Sequence, residues 1–266
     1  VFILTSYIIN TIGKEAYAFY PISNNLVSYM LLVSNALNAM SANIITQEKV
    51  VGNYDTARSY YSTMYYSNLI ITLILAVIST IIIIFINEIF IIPPQLIHGV
   101  RILFILVFVS MLINILTASY SVSIYVYNRM ELNSFKEIIG SSIKIILFPL
   151  LFILLKPEIY IIGIVVIVTS ISNFLFFYFT KKRLMSEYAF SKSLVDYSKL
   201  THVLKLGAWN SVNSFGSILM FTIVLTLSNV LLGATASGNV SIVQTMPHFI
   251  SSIIVVFVTV FTPRFS

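Results

Sequence analysis

The 266-residue chain is 58% hydrophobic and only 9% charged. A soluble globular domain carries about a quarter charged residues, so this composition excludes an ordinary water-soluble domain and indicates a protein embedded in a lipid bilayer. The formal net charge of +6 does not indicate a nucleic-acid partner, because the Lys and Arg residues lie in connections between apolar stretches. The chain has no cysteine, which excludes disulfides and thiolate metal sites.

Apolar stretches follow one another along the whole chain. A membrane-spanning helix needs about 20 mostly apolar residues, and seven stretches meet or approach that length. The predicted spans are 16–45, 60–86, 102–127, 134–155, 159–180, 207–232 and 239–263. Residues 1–12 are also apolar, but a helix of that length covers only about 18 Å. We therefore interpret them as the end of a longer helix and expect the chain to be a fragment of a longer protein.

Lys and Arg residues concentrate on alternate connections between the spans. One set of connections includes Lys49, Arg58, Arg129, Lys136 and the basic residues of 181–205, whereas the other set carries few. Cytoplasmic connections carry an excess of Lys and Arg. The pattern predicts a multi-pass protein whose N-terminal side and 182–206 connection are cytoplasmic.

The longest connection also has a periodic apolar pattern. Five apolar residues recur in it at helical spacing: Phe190, Leu194, Tyr197, Leu200 and Leu204. This pattern predicts an amphipathic helix that lies on the inner membrane surface, with its Lys residues toward anionic head groups. The alternative is a solvated, charged linker.

A weak internal repeat divides the chain. The segment Gly13–Ala18 aligns with Gly233–Gly238, and each segment precedes a long helix with many polar residues. An even number of spans separates the copies, so both have the same orientation in the membrane. Parallel repeats occur in transporters whose substrate site lies between the two halves. We predict a six-helix N-terminal lobe (1–181), an inter-lobe linker (182–206) and the first two helices of a second lobe (207–266); chance similarity is the alternative.

One charge lies inside a predicted span. Lys144 is about 12 Å from the start of its helix, and an ionisable residue at that depth usually faces a cavity or a partner. One interpretation is a positive group that binds a phosphate-bearing substrate. The other is that the Lys144 side chain extends along its own helix to the cytoplasmic interface.

Asparagine and serine residues form polar stripes on two of the predicted helices, 16–45 and 207–232, and the predicted helix 239–263 adds Gln244. Such stripes must turn away from lipid, and they either line a hydrated cavity that receives sugars or bond helix to helix. The candidate substrate-binding residues are Lys144, Asn24, Asn25, Ser28, Asn35, Asn210, Asn213 and Gln244.

Catalytic motifs are missing from the sequence. The three histidines, His98, His202 and His248, are far apart and have no carboxylate at ligand spacing. The sequence also contains no metal-protease motif, nucleophile elbow or Gly-rich phosphate loop. We therefore predict that the chain is not an enzyme and that it has no catalytic residues, metal site or cofactor.

Several short motifs, in this order, resemble a known family. Gly13–Ala18 resembles the LG-x-E-x-Y-G opening of bacterial polysaccharide flippases of the O-antigen and capsule type. Gly52–Ala57 is similar to the short cytoplasmic helix between their second and third spans. Gly207–Asn210 resembles the start of their seventh helix, and Leu232–Ile242, followed by Pro247, resembles the turn into their eighth.

These flippases belong to the multidrug/oligosaccharidyl-lipid/polysaccharide exporter superfamily. The resemblance implies an all-α, two-lobe transmembrane bundle in the bacterial cytoplasmic membrane. It implies alternating access that moves an undecaprenyl-diphosphate-linked oligosaccharide from the inner to the outer leaflet, and coupling to a cation gradient. Cations in the cavity would hold the diphosphate, while Asn and Ser side chains would bind the sugars.

The chain departs from the family pattern in two places. Ala18 stands where the opening motif usually has Gly, and the cavity arginines of some relatives have no counterpart in the first two helices. Lys144 is the residue that would take the part of those arginines. The competing interpretations are a multidrug or small-molecule antiporter of the same superfamily and a polytopic polysaccharide polymerase or acyltransferase.

Overall fold

The structure, a computed structural model, describes residues 2–261. It describes the backbone alone for 2–4 and for a scattered set of later residues, which are 209, 210, 213, 217, 220, 221, 246, 248, 249, 251–253 and 255–261. Every regular element within residues 2–261 is a helix. This confirms the predicted all-α, polytopic fold.

The first part of the chain forms two rods joined at a glycine. The first rod is α1 (Phe2–Ile12), and the second consists of α2 (Lys14–Tyr17), α3 (Phe19–Met30) and α4 (Leu32–Val51). The second rod is interrupted only at Ala18 and Leu31, both of which keep right-handed helical backbone angles. The break at Ala18 has a simple cause. Pro21 has no N–H group to donate to the carbonyl of Tyr17, so the regular hydrogen-bond ladder loses one bond there.

The remaining helices match the order of the predicted spans. They are α5 (Tyr54–Ile84), α6 (Ile86–Ile89), α7 (Ile97–Val126), α8 (Glu131–Leu154), α9 (Tyr160–Leu184), α10 (Tyr197–Leu232) and α11 (Ala234–Phe261), with 3-10 turns at Pro94–Leu96 and Lys192–Leu194. Among the described residues, four helices are long and apolar enough to cross a membrane. They are Tyr54–Ile84, Pro94–Val126, Glu131–Leu154 and Tyr160–Leu184, which confirms four predicted spans.

Helix α7 is at the centre of the packing. Its most extensive contact is with α9, and α4 and α5 also pack against it. Gly163 of α9 permits the close approach, because a Cβ atom there would lie only 2.9 Å from the Cβ of Leu106 on α7. The outer faces of α5 and α8, by contrast, expose many large apolar side chains, including Leu73 and Ile146. Such faces suit contact with lipid.

The segment before α10 differs from the prediction. Residues 185–196 are not an amphipathic helix, apart from a single 3-10 turn. The Phe190 ring stacks on Tyr65, with a centroid distance of 3.7 Å, and on Tyr61 at 4.9 Å. The prediction of one helix through Phe190 and Leu194 is therefore wrong, because Phe190 packs against α5 and does not follow helical spacing.

The polar face of α5 fixes the backbone of the same segment. Ser59 Oγ donates to the Leu194 carbonyl at 2.8 Å, and Thr63 Oγ1 accepts from the Asp196 N–H at 3.0 Å. Helix α10 then begins at Tyr197, where the Asp196 carboxylate accepts a hydrogen bond from the Ser198 N–H at 2.9 Å. The hydrogen bonds from Ser198 hold the pKa of Asp196 below its usual value. The helix continues through Gly207 without interruption over 36 residues, or about 54 Å.

Candidate functional site

The two repeat segments have the same backbone geometry at their glycines. Gly13 has φ +87° and Gly233 has φ +86°, in a region that glycine adopts at little cost. Gly13 joins α1 to α2, and Gly233 joins α10 to α11. Gly52, which lies outside the predicted repeat, has the same φ of +87°, so this conformation is typical of the helix-joining glycines in the described residues and does not by itself establish the repeat.

The two repeat segments also contact each other. Thr235 Oγ1 donates to Glu15 Oε1 at 2.6 Å, and these residues are 220 positions apart, which is the offset of the repeat. Lys14 Nζ donates to Asn239 Oδ1 at 2.9 Å. Around a two-fold axis, residues near the axis contact their own equivalents. The Glu15–Thr235 contact therefore joins two residues that are equivalent under the predicted repeat.

Close backbone packing accompanies these side-chain contacts. A Cβ atom at Gly238 would lie 3.0 Å from the carbonyl oxygen of Lys14. In α10, a Cβ atom at Gly207 would lie 3.2 Å from the Cβ of Ala36 on α4. The two glycines thus allow α11 and α10 to approach α2 and α4 closely.

The candidate residues of the predicted span 16–45 do not share one site. Asn25 Nδ2 donates to the Thr222 carbonyl of α10 at 3.1 Å. Asn24 Nδ2 donates to the carbonyl of Tyr20, and Ser28 Oγ donates to the carbonyl of Asn24, so both bond within their own helix. Asn35 is exposed. Among the described contacts of this set, only Asn25 bonds to another helix. Its contact matches the interpretation in which the polar stripe bonds helix to helix.

The other candidates are more widely distributed. Lys144 is exposed on α8 and makes no hydrogen bond or ion pair within the part of the chain that the structure describes. Gln244 lies half-buried in α11. The side chains of Asn210 and Asn213 lie outside the described residues. A substrate-binding role for all eight candidates stays a prediction.

Sequence reasoning missed a buried polar network between α4, α5 and α7. Asn68, which is completely buried, donates to Asn38 Oδ1 at 2.7 Å and to Ser119 Oγ at 2.9 Å. Its own Oδ1 accepts from Ser34 Oγ at 3.3 Å. The network joins three helices, and its four members satisfy one another. Ser34 and Asn38 belong to the polar stripe of the predicted span 16–45, whereas their partners Asn68 and Ser119 were not predicted.

A polar cleft between α7, α8 and α9 was also missed. It has a volume of about 250 Å³. Its lining residues are Asn114, Thr117, Ala118, Ser121, Ile124, Tyr125, Asn133, Lys136, Asn173 and Phe177. The cleft lies beside the start of α8, toward the predicted cytoplasmic end of the bundle. It extends along α7 from Tyr125 to Asn114, or about 16 Å.

Lys136 is the charged group of this cleft. Its side chain is only 15% exposed, it forms an ion pair with Glu137, and its Nζ lies 5.8 Å from the centre of the Phe177 ring. Deeper in the cleft, Asn114 Nδ2 donates to Ser170 Oγ at 3.3 Å. Amides and hydroxyls can bind sugar hydroxyls, and an ammonium group can bind a phosphate. Lys144 does not line this cleft.

The fold and the polar interior define a polytopic helical membrane protein. The chain is 26% identical over 261 residues to a protein of Bacillus subtilis (strain 168) described as "Uncharacterized membrane protein EpsK". The alignment covers 98% of this chain and 52% of EpsK, so the chain spans about half the length of this curated relative. No protein-family model matches the chain, and no solved structure matches it.

Proposed function

We propose that the chain belongs to a flippase that moves a polyprenyl-diphosphate-linked oligosaccharide from the inner to the outer leaflet. The observation that carries the proposal is the contact between Glu15 and Thr235, because these residues are equivalent under the repeat offset. Two parallel repeats that meet at a pseudo-two-fold axis are a common transporter architecture, with the substrate between them. The match to a membrane protein of about twice the length agrees with a second repeat that continues beyond the described helices.

The polar cleft supplies chemistry that suits this cargo. Lys136, in a region of low exposure, offers a positive charge for a diphosphate. Asn114, Asn133 and Asn173 offer amide groups for sugar hydroxyls. The prenyl chain would remain in the bilayer beside the apolar outer faces of the helices. We assign the protein a transport step only, with no bond made or broken.

The proposed location is the bacterial cytoplasmic membrane. The basic residues of 181–205 would lie at its inner surface, where anionic lipids attract them. The turns at Gly13 and Gly233 would then lie on the outer side. Movement of the repeats against each other would open the substrate path between them to each side in turn, and a cation gradient would drive the cycle.

The test uses the full-length protein in its own host. Deletion of the gene should abolish surface polysaccharide and cause lipid-linked repeat units to accumulate, and the wild-type gene should restore export. Lys136→Met and Lys144→Met should each reduce export at least tenfold at normal membrane insertion. Lys182→Met, which removes an exposed basic residue at the end of α9, is the matched control and should export normally.

Three results would contradict parts of this proposal. Unchanged polysaccharide in the deletion strain, without accumulated lipid-linked units, would exclude the flippase function. Normal export by Lys144→Met would leave only the interface role for Lys144, and normal export by Lys136→Met would remove the cleft from the substrate path.

A further inference from the structure

Helices α8 and α9 enclose a second, apolar groove that is distinct from the polar cleft. Its lower part has a volume of about 390 Å³ and is lined by Arg129, Leu132, Phe135, Phe176, Phe179, Thr180, Arg183 and Leu184. Its upper part has a volume of about 470 Å³ and is lined by six residues of α8 and by Val168 of α9. Residues of α7 line neither part.

The two parts share no lining residue, but both lie along the same face of α8. The α8 residues Leu132, Phe135, Ile139, Ser142 and Ile146 line the two parts, and their steps of three and four residues place them on one face of the helix. From Leu132 to Ile146 the groove follows α8 for about 21 Å. One leaflet of a bilayer has a hydrocarbon thickness of about 15 Å, so the groove is long enough for an acyl chain.

Two arginines lie at one end of this groove. Arg129 precedes α8 and Arg183 is in the last turn of α9, and because the helices are antiparallel both lie at the predicted cytoplasmic end. Arg129 forms an ion pair with the exposed Glu131, whereas Arg183 forms none among the described residues. Thr180 and Ser142 are the other polar lining residues. A guanidinium group binds phosphate through paired hydrogen bonds.

We propose that this groove binds an anionic phospholipid of the bilayer. The phosphate lies between Arg129 and Arg183, and one acyl chain follows the groove past Phe135 and Phe179. Charge complementarity at one end and apolar lining along the rest match the two parts of such a lipid, and basic pockets between helices at the cytoplasmic side are typical lipid head-group sites.

The position of the groove favours a bilayer lipid over the transported substrate. Helix α10, which carries one copy of the repeat turn, packs on α3, α4 and α5. The groove, by contrast, is lined by residues of α8 and α9 and by Arg129. Movement between the repeats therefore does not need to open or close it. The proposed lipid is a resident ligand that stabilises the α8–α9 pair, and it does not depend on the flippase function.

Native mass spectrometry of the full-length, detergent-purified protein tests this inference. Dioleoylphosphatidylglycerol and dioleoylphosphatidylcholine are titrated separately. We expect phosphatidylglycerol to bind at least tenfold more tightly. The variant Arg129→Gln/Arg183→Gln should lose most of that preference, whereas Lys182→Gln/Lys192→Gln, which removes the same charge from nearby exposed positions, should change binding less than twofold.

A second variant tests the chain-binding part without changing charge. Ile143→Trp places a larger side chain in the upper groove and should weaken phosphatidylglycerol binding, while Val77→Trp on the exposed face of α5 should not. Three outcomes would overturn the inference: equal affinity for the two lipids, equal loss in both charge variants, or normal binding to Ile143→Trp.

Discussion

At the residue scale, the asparagines of the membrane helices differ in what they bond. Asn68 bonds three side chains on two neighbouring helices, Asn25 bonds the backbone of α10, and Asn24 bonds only its own helix. Their residue type is identical, so the difference arises from the direction in which each side chain leaves its helix. A stripe of asparagines in a sequence therefore indicates a buried helix face, but it does not show which member joins two helices.

Substitution of Asn68 should be more harmful than substitution of an exposed asparagine. Asn68→Ala leaves Asn38 and Ser119 without a donor in an interior where water cannot replace it, and we expect a loss of about 1–2 kcal/mol in the free energy of unfolding. Asn43→Ala, on the exposed face of α4, should change it by less than about 0.5 kcal/mol. Denaturant unfolding of the full-length protein in mixed micelles measures both, and equal losses would contradict the role of the network.

At the element scale, hydropathy predicted the helices well and the linker poorly. The spans 60–86, 102–127, 134–155 and 159–180 each correspond to one observed apolar helix, because bilayer thickness imposes a length that the sequence must show. Residues 185–196 have no such constraint. Their conformation depends on Tyr61, Tyr65 and the hydroxyls of Ser59 and Thr63 on α5, more than 120 positions earlier in the chain, and local periodicity contains no information about those partners.

Addition of one methyl group at Gly163 tests how closely α7 and α9 pack. In Gly163→Ala the new Cβ would lie 2.9 Å from the Cβ of Leu106, so the helices must separate, and we expect a loss of about 1–3 kcal/mol in the free energy of unfolding. Gly216→Ala in α10 adds the same methyl group where no atom lies within 4 Å. It should leave stability unchanged or raise it by up to about 1 kcal/mol. Thermal unfolding of both variants measures these changes in stability. A Gly163→Ala protein as stable as the wild type would show that α7 and α9 pack less tightly than the 2.9 Å contact indicates.

At the scale of the whole molecule, the predicted repeat depends on a glycine in each of its two turns. Gly13 and Gly233 both have positive φ, and few other residues adopt that conformation easily, so the sequence itself indicates a turn at both positions. The polar cleft left no comparable trace. The residues that line it come from three helices, and the packing of these helices determines which side chains face one another. In the sequence, Lys136 resembles any other basic residue of a connection between spans.

The contact between the repeat turns should control transport if the repeats move against each other. These 266 residues contain no cysteine, so Glu15→Cys/Thr235→Cys adds the two thiols within them, and the protein without these substitutions controls for thiols elsewhere in the full-length protein. The native side chains are 2.6 Å apart, and we expect a short bifunctional thiol reagent to join the pair. Glu15→Cys/Thr201→Cys is the control, because Thr201 lies about 46 Å from the other end of α10 and should remain unlinked.

Joining the turns should stop export, since under the proposed flippase mechanism release into the outer leaflet would require separation of the repeats at the outer end of the bundle. Reduction of a cleavable linker should restore export, and peptide mass spectrometry measures the linked fraction in the same cells. Full export by a completely linked Glu15→Cys/Thr235→Cys protein would show that the two turns move together. Helices α2 and α11 would then form one rigid unit, and the moving boundary of the transporter would lie elsewhere in the bundle.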